Sequence, residues 1–88
     1  MKKSINTFLN KVKTLLVDVY GENADYVYVD EEEDLVQYTG FGHKSEGGIR
    51  CETQVPMYDI MTADDFPQCP DGYFVEAINS WSFAVYKV

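Results

Sequence analysis

Residues 4–29 read SINTFLNKVKTLLVDVYGENADYVYV. Partway along, their hydrophobic period changes from 3.6, the spacing of a helix, to 2, the spacing of a strand. Ile5, Phe8, Leu9, Val12, Leu15, Leu16, Val19 and Tyr20 place one apolar stripe along residues 4–20, which predicts an amphipathic helix of about four turns. Ser4 is the expected N-cap, and Gly21 suits the left-handed position just past the end. Beyond it, Asp25-Tyr26-Val27-Tyr28-Val29 is aromatic and β-branched, as is Leu35-Val36-Gln37-Tyr38-Thr39, and both read as strands.

Outward from that junction the chain is a succession of short elements. The acidic run Asp30-Glu31-Glu32-Glu33-Asp34 is too polar to bury and reads as a hairpin connection. The stretch from Gly40 to Gly48 holds four glycines in nine residues and reads as a hairpin loop. Ile49, Cys51, Thr53 and Val55 alternate with Arg50, Glu52 and Gln54, a strand buried on one face and stopped by Pro56. Residues 57–61 are read as an edge strand and 62–66 as a single helical turn. Residues 73–78 and 81–88 form a terminal hairpin around Asn79-Ser80. In that hairpin Trp81, Phe83 and Val85 are expected to face the core, the alternative being a hydrophobic patch for self-association.

With no second long helix to connect parallel strands, the expected fold is α+β. One N-terminal amphipathic helix packs on a mainly antiparallel sheet of four to six short strands, in a single domain spanning residues 1–88. The other face of the sheet is expected to be partly wet and to carry tyrosines. A chain of 88 residues buries only about 60–65% of the surface its unfolded form exposes, so it has no material for a second core. A composition of 45% apolar and 15% aromatic residues is that of a folding chain.

Charge narrows the range of partners. Fifteen Asp and Glu stand against seven Lys and Arg, and Lys2, Lys3, Lys11 and Lys13 lie in the first thirteen residues. From Thr14 onward fifteen acids face only Lys44, Arg50 and Lys87, a formal −12. Such a body repels nucleic acid and anionic membranes, and it attracts basic proteins at long range. Asn10, Lys11 and Lys13 interrupt the apolar runs that a signal peptide needs, and no apolar stretch is long enough to span a bilayer. Two cysteines, Cys51 and Cys69, are too few for a disulfide framework. The expectation is a cytoplasmic protein with reduced thiols.

No constellation names a reaction, and neither a catalytic residue nor a cofactor nor a metal site is assigned. Asp30, Glu32 and Asp34 match the opening of a calcium loop, but Leu35 stands where the required glycine belongs and Phe41 where the bidentate Glu belongs. His43, Cys51 and Cys69 lack paired zinc-ligand spacing. A small hydrolase or metal protein using His43 is the least favoured reading.

Aromatic anchors within an acidic rim fit a binder of cationic protein surface. The expected contact set is Glu22, Asp25, Tyr26, Tyr28, Asp30, Glu31, Glu32, Glu33, Asp34, Tyr38 and Asp59. The expected function is a small acidic inhibitor that occludes a basic partner. That partner is expected to be a nuclease toxin or a nucleic-acid-handling defence protein, in the manner of immunity or phage anti-defence proteins whose carboxylates mimic phosphates. The alternative is a structural or regulatory module acting as a homo-oligomer, such as a homodimer, through its C-terminal strand.

Overall fold

The computed structural model describes residues 3–30 and 45–88, with residues 23–26, 28 and 30 described in backbone only. Helix α1, Lys3–Tyr20, runs into a 3-10 turn, Gly21–Asn23, and then into strand β1, Ala24–Asp30. Strand β2, Ser45–Thr53, leads to the short helix α2, Met57–Met61, and the hairpin of β3, Tyr73–Asn79, and β4, Ser82–Lys87. Three antiparallel pairings arrange the strands in the order β1-β2-β4-β3. The fold is α+β, an N-terminal helix on an antiparallel sheet. The predicted strand at 35–39 lies outside the described residues.

Five stripe residues, Ile5, Phe8, Leu9, Val12 and Leu16, are buried as predicted. They meet Ile49 and Cys51 of β2, Phe83 and Val85 of β4, and Met57 and Ile60 of α2 in one core. Phe8, Phe66 and Phe83 close its centre edge to face, with centroids 5.9–6.3 Å apart, within the range aromatic pairs favour. Val19 departs from the expectation and is exposed. In the last turn only Tyr20 leans back onto the core, leaving Val19 on the opposite flank. The predicted caps are also corrected. The helix begins at Lys3, so Ser4 lies inside it, and Gly21 opens the 3-10 turn without a positive φ.

The terminal hairpin forms where expected, but Trp81 belongs to its turn and not to the sheet core. Residues Ser82 to Tyr86 are buried without interruption. The expectation of an open, tyrosine-bearing face therefore fails at β4. Ala84 and Tyr86 alternate with the core residues Phe83 and Val85 and are buried nonetheless, with the Tyr86 ring stacked on Phe74 of β3 at 5.4 Å. Because β4 lies between β2 and β3, both its backbone edges are hydrogen-bonded. β4 therefore presents no unpaired backbone edge of the kind that invites an added strand.

Two local readings are corrected. The glycine-rich stretch does not stay a loop to its end, because residues 45–48 are strand. Gly47, at φ 152, occupies the register shift against β4, where a bulge suits a residue without a Cβ. Residues 57–61 are helix and not an edge strand, and 62–66 are turns that follow it. Pro56, at φ −58, is the N-cap, and its carbonyl accepts from Asp59 N and Ile60 N at 3.0 and 3.2 Å. A helical turn buries both Met57 and Ile60, which strand alternation would put on opposite faces.

Candidate functional site

The predicted contact residues fall into three groups. Glu22, in the 3-10 turn, and Asp59, in the first turn of α2, are both exposed. Asp25, Tyr26, Tyr28 and Asp30 lie on β1, whose register sets Tyr26 opposite Glu52, Tyr28 opposite Arg50 and Asp30 opposite Gly48. Glu31, Glu32, Glu33, Asp34 and Tyr38 lie outside the described residues, as does His43. The topology brings Glu22 and Asp59 to one end of the molecule. There α1 finishes, β1 starts opposite Thr53, and β2 gives way to α2.

The β3–β4 turn closes the same end and is tied to it through the backbone. Cys51 N donates to the Trp81 carbonyl and Met57 N to the Ser80 carbonyl, each at 2.7 Å. From within the turn, Asn79 Oδ1 accepts from Trp81 N at 3.0 Å and from Ser82 Oγ at 2.8 Å. These bonds explain why the turn stands close to β2 and α2. Trp81 lies in this turn and Tyr58 directly follows the bonded Met57, and the two are 44% and 67% exposed. Glu52 beside Cys51 and Asp59 beside Tyr58 are exposed too. Among the described residues, neither ring stacks on another and neither carboxylate is held in an ion pair.

Of these four residues the sequence reading singled out Asp59 as a contact and Trp81 as a core residue, and it gave no role to Tyr58 or Glu52. A signal for Trp81 was present: it directly follows Asn79-Ser80, and a two-residue turn closed by an Asn79–Ser82 pair takes Trp81 out of the strand.

The remaining candidate chemistries find little support among the described residues. Cys51 is buried and Cys69 half-buried, both free. Burial pushes both thiols up, whereas a thiolate nucleophile needs the opposite shift. Burial, reinforced by the charge of Glu76, likewise pushes the Tyr86 phenol up. No group of three His, Cys, Asp or Glu side chains converges among the described residues. A recess of about 420 Å³ beside α1 has Thr7, Asn10, Lys11 and Thr14 as its described wall. That wall has neither a carboxylate nor a nucleophile paired with a base. No helix among the described residues is long and apolar enough to cross a membrane.

The chain matches no protein-family model, no curated protein and no solved structure.

Proposed function

We propose that the chain is a small acidic binding protein that occludes a basic protein partner, of the kind that grips nucleic acid with Lys and Arg, and that it performs no chemical step itself. The supporting observation is the state of its carboxylates. Asp18, Glu22, Glu52, Asp59, Asp64, Asp65, Asp71 and Glu76 are all exposed, and no ion pair holds any of them among the described residues. The fold does not need these charges for its core, whose described side chains are apolar apart from Ser82. A surface charge that folding does not use remains available for steering and pairing with a partner.

In this mechanism the acidic surface competes with phosphate for the partner's cations. Carboxylates meet Lys and Arg while tyrosines supply packed contact area. The run Asp30 to Asp34, with Glu22, Asp25 and Asp59, forms the acidic rim, and Tyr26, Tyr28 and Tyr38 are the anchors. The partner is a nuclease toxin or a defence protein acting on nucleic acid, and the compartment is the cytoplasm.

The test is capture from host lysate at low salt, with stepwise elution and mass spectrometry, followed by affinity measurement on the recovered protein. The expected result is a basic nucleic-acid-handling protein released as salt rises. The combined variant Glu31→Lys, Glu32→Lys, Glu33→Lys is expected to bind it about tenfold or more weakly, a difference of about 1.4 kcal/mol per decade. Equal affinity for that variant and the wild type would remove the acidic run from the interface.

A further inference from the structure

We infer that the end of the molecule bearing Tyr58 and Trp81 is a docking surface for an arginine-presenting segment of a basic protein. The inference rests on the basic-partner reading above, but it assigns contact to residues other than the acidic run.

Exposure is the first argument. Phe8, Phe66 and Phe83 are gathered in the core, yet the chain's one tryptophan is left 44% exposed and Tyr58 67% exposed. Trp and Tyr are the residues that most often dominate binding energy when they stand at a surface.

Rigidity is the second. Trp81 lies in a turn pinned by its own carbonyl to Cys51 N, by the Ser80 carbonyl to Met57 N and by Asn79 Oδ1 to Trp81 N. Tyr58 directly follows the pinned Met57. Side chains displayed on a fixed backbone lose less freedom on binding.

Charge identifies the occupant. Glu52 directly follows Cys51, whose N–H holds the Trp81 carbonyl, and Asp59 directly follows Tyr58; both acids are exposed and without an ion pair among the described residues. Along β2 the nearest described cation is Arg50, half-buried and set opposite Ser82. A guanidinium suits this surface because its plane stacks on an indole or phenol face while its N–H groups fork onto a carboxylate. A second copy of this chain is disfavoured, since two-fold pairing would set the same acids against each other.

Trp81 is the sole tryptophan, so its emission reports this surface alone. The experiment titrates a deca-arginine peptide into the protein at low salt and follows heat and Trp81 fluorescence together. The expected result is saturable binding with a shift of emission to shorter wavelength and reduced quenching by acrylamide. The variant Tyr58→Ala, Asp59→Lys keeps the reporter, and both positions are exposed, so its circular dichroism should match that of the wild type. It is expected to bind about tenfold more weakly.

If the peptide binds while Trp81 emission stays unchanged and the variant binds as well as wild type, the docking surface is elsewhere. The inference then falls and the basic-partner reading stands. If the peptide does not bind at low salt, both fall.

Discussion

Trp81 and Phe83 lie two residues apart in one hairpin, yet Phe83 is 0% exposed and Trp81 44%. Hydrophobicity does not account for the difference, since both are large aromatics. Position in the hairpin does. Phe83 stands in β4, opposite Ile49 and Ala77 on its two sides, and its ring meets Phe8 and Phe66. Trp81 stands in a turn whose polar groups are satisfied by β2, α2 and Asn79. The turn is thus held by hydrogen bonds and the strand by packing. A residue held in place by its backbone leaves its side chain available at the surface.

The sharpest way to break this comparison is Phe83→Ala. Removing a wholly buried ring at the junction of three aromatics should destabilise the fold by about 3–5 kcal/mol, measured by urea denaturation. A loss of about 1 kcal/mol or less would mean that β4 is not the centre of the core.

A smaller effect is expected for Asn79→Ala, which removes the acceptor for Trp81 N and for the Ser82 hydroxyl, itself buried. The expected cost is about 1–3 kcal/mol, most of it from leaving the hydroxyl unpaired. Denaturation midpoints would give that cost, and a changed Trp81 emission in the folded state would show that the turn had loosened.

The smallest effect is expected for Trp81→Ala, within about 0.5 kcal/mol of the wild type, although it should weaken docking of a basic partner. If thermal denaturation instead showed a loss near that of Phe83→Ala, Trp81 would be a packing residue and the contrast would disappear.

Part of this arrangement was legible beforehand. The stripe from Ile5 to Leu16 and the alternation of Ile49 and Cys51 are local periodicities, and each survived into the structure because the face it defines is buried. The continuous apolar run Phe83-Ala84-Val85-Tyr86 also carries the mark of a strand covered on both faces, though only the pairing with both β2 and β3 makes its meaning plain.

What stayed hidden depends on partners distant in sequence. Residues 57–61 are too few to display a helical period. Their first N–H is satisfied by Ser80 and their buried side chains by the shared core. Val19 satisfies the helical period and is exposed, because the pattern does not tell where the surface that covers a helix ends. For the site, the acidic character and the exposure of Glu22 and Asp59 followed from composition. The approach of the Trp81 turn to β2 and α2 did not, because it is made by two backbone hydrogen bonds between segments that are far apart in the chain.

The strand order bears on how the protein is made. Among the four strands β4 is the last to be synthesised, and it lies between β2 and β3. Until Ser82–Lys87 leaves the ribosome, β3 has no neighbour among the described strands, and β1 with β2 is a described unit of only two strands, of the kind that is marginal in water. The described sheet therefore cannot be completed before Ser82–Lys87 is available. A stop just beyond Asn79 would remove a strand from the middle of the described sheet and not from its edge, leaving a polypeptide for proteases and chaperones.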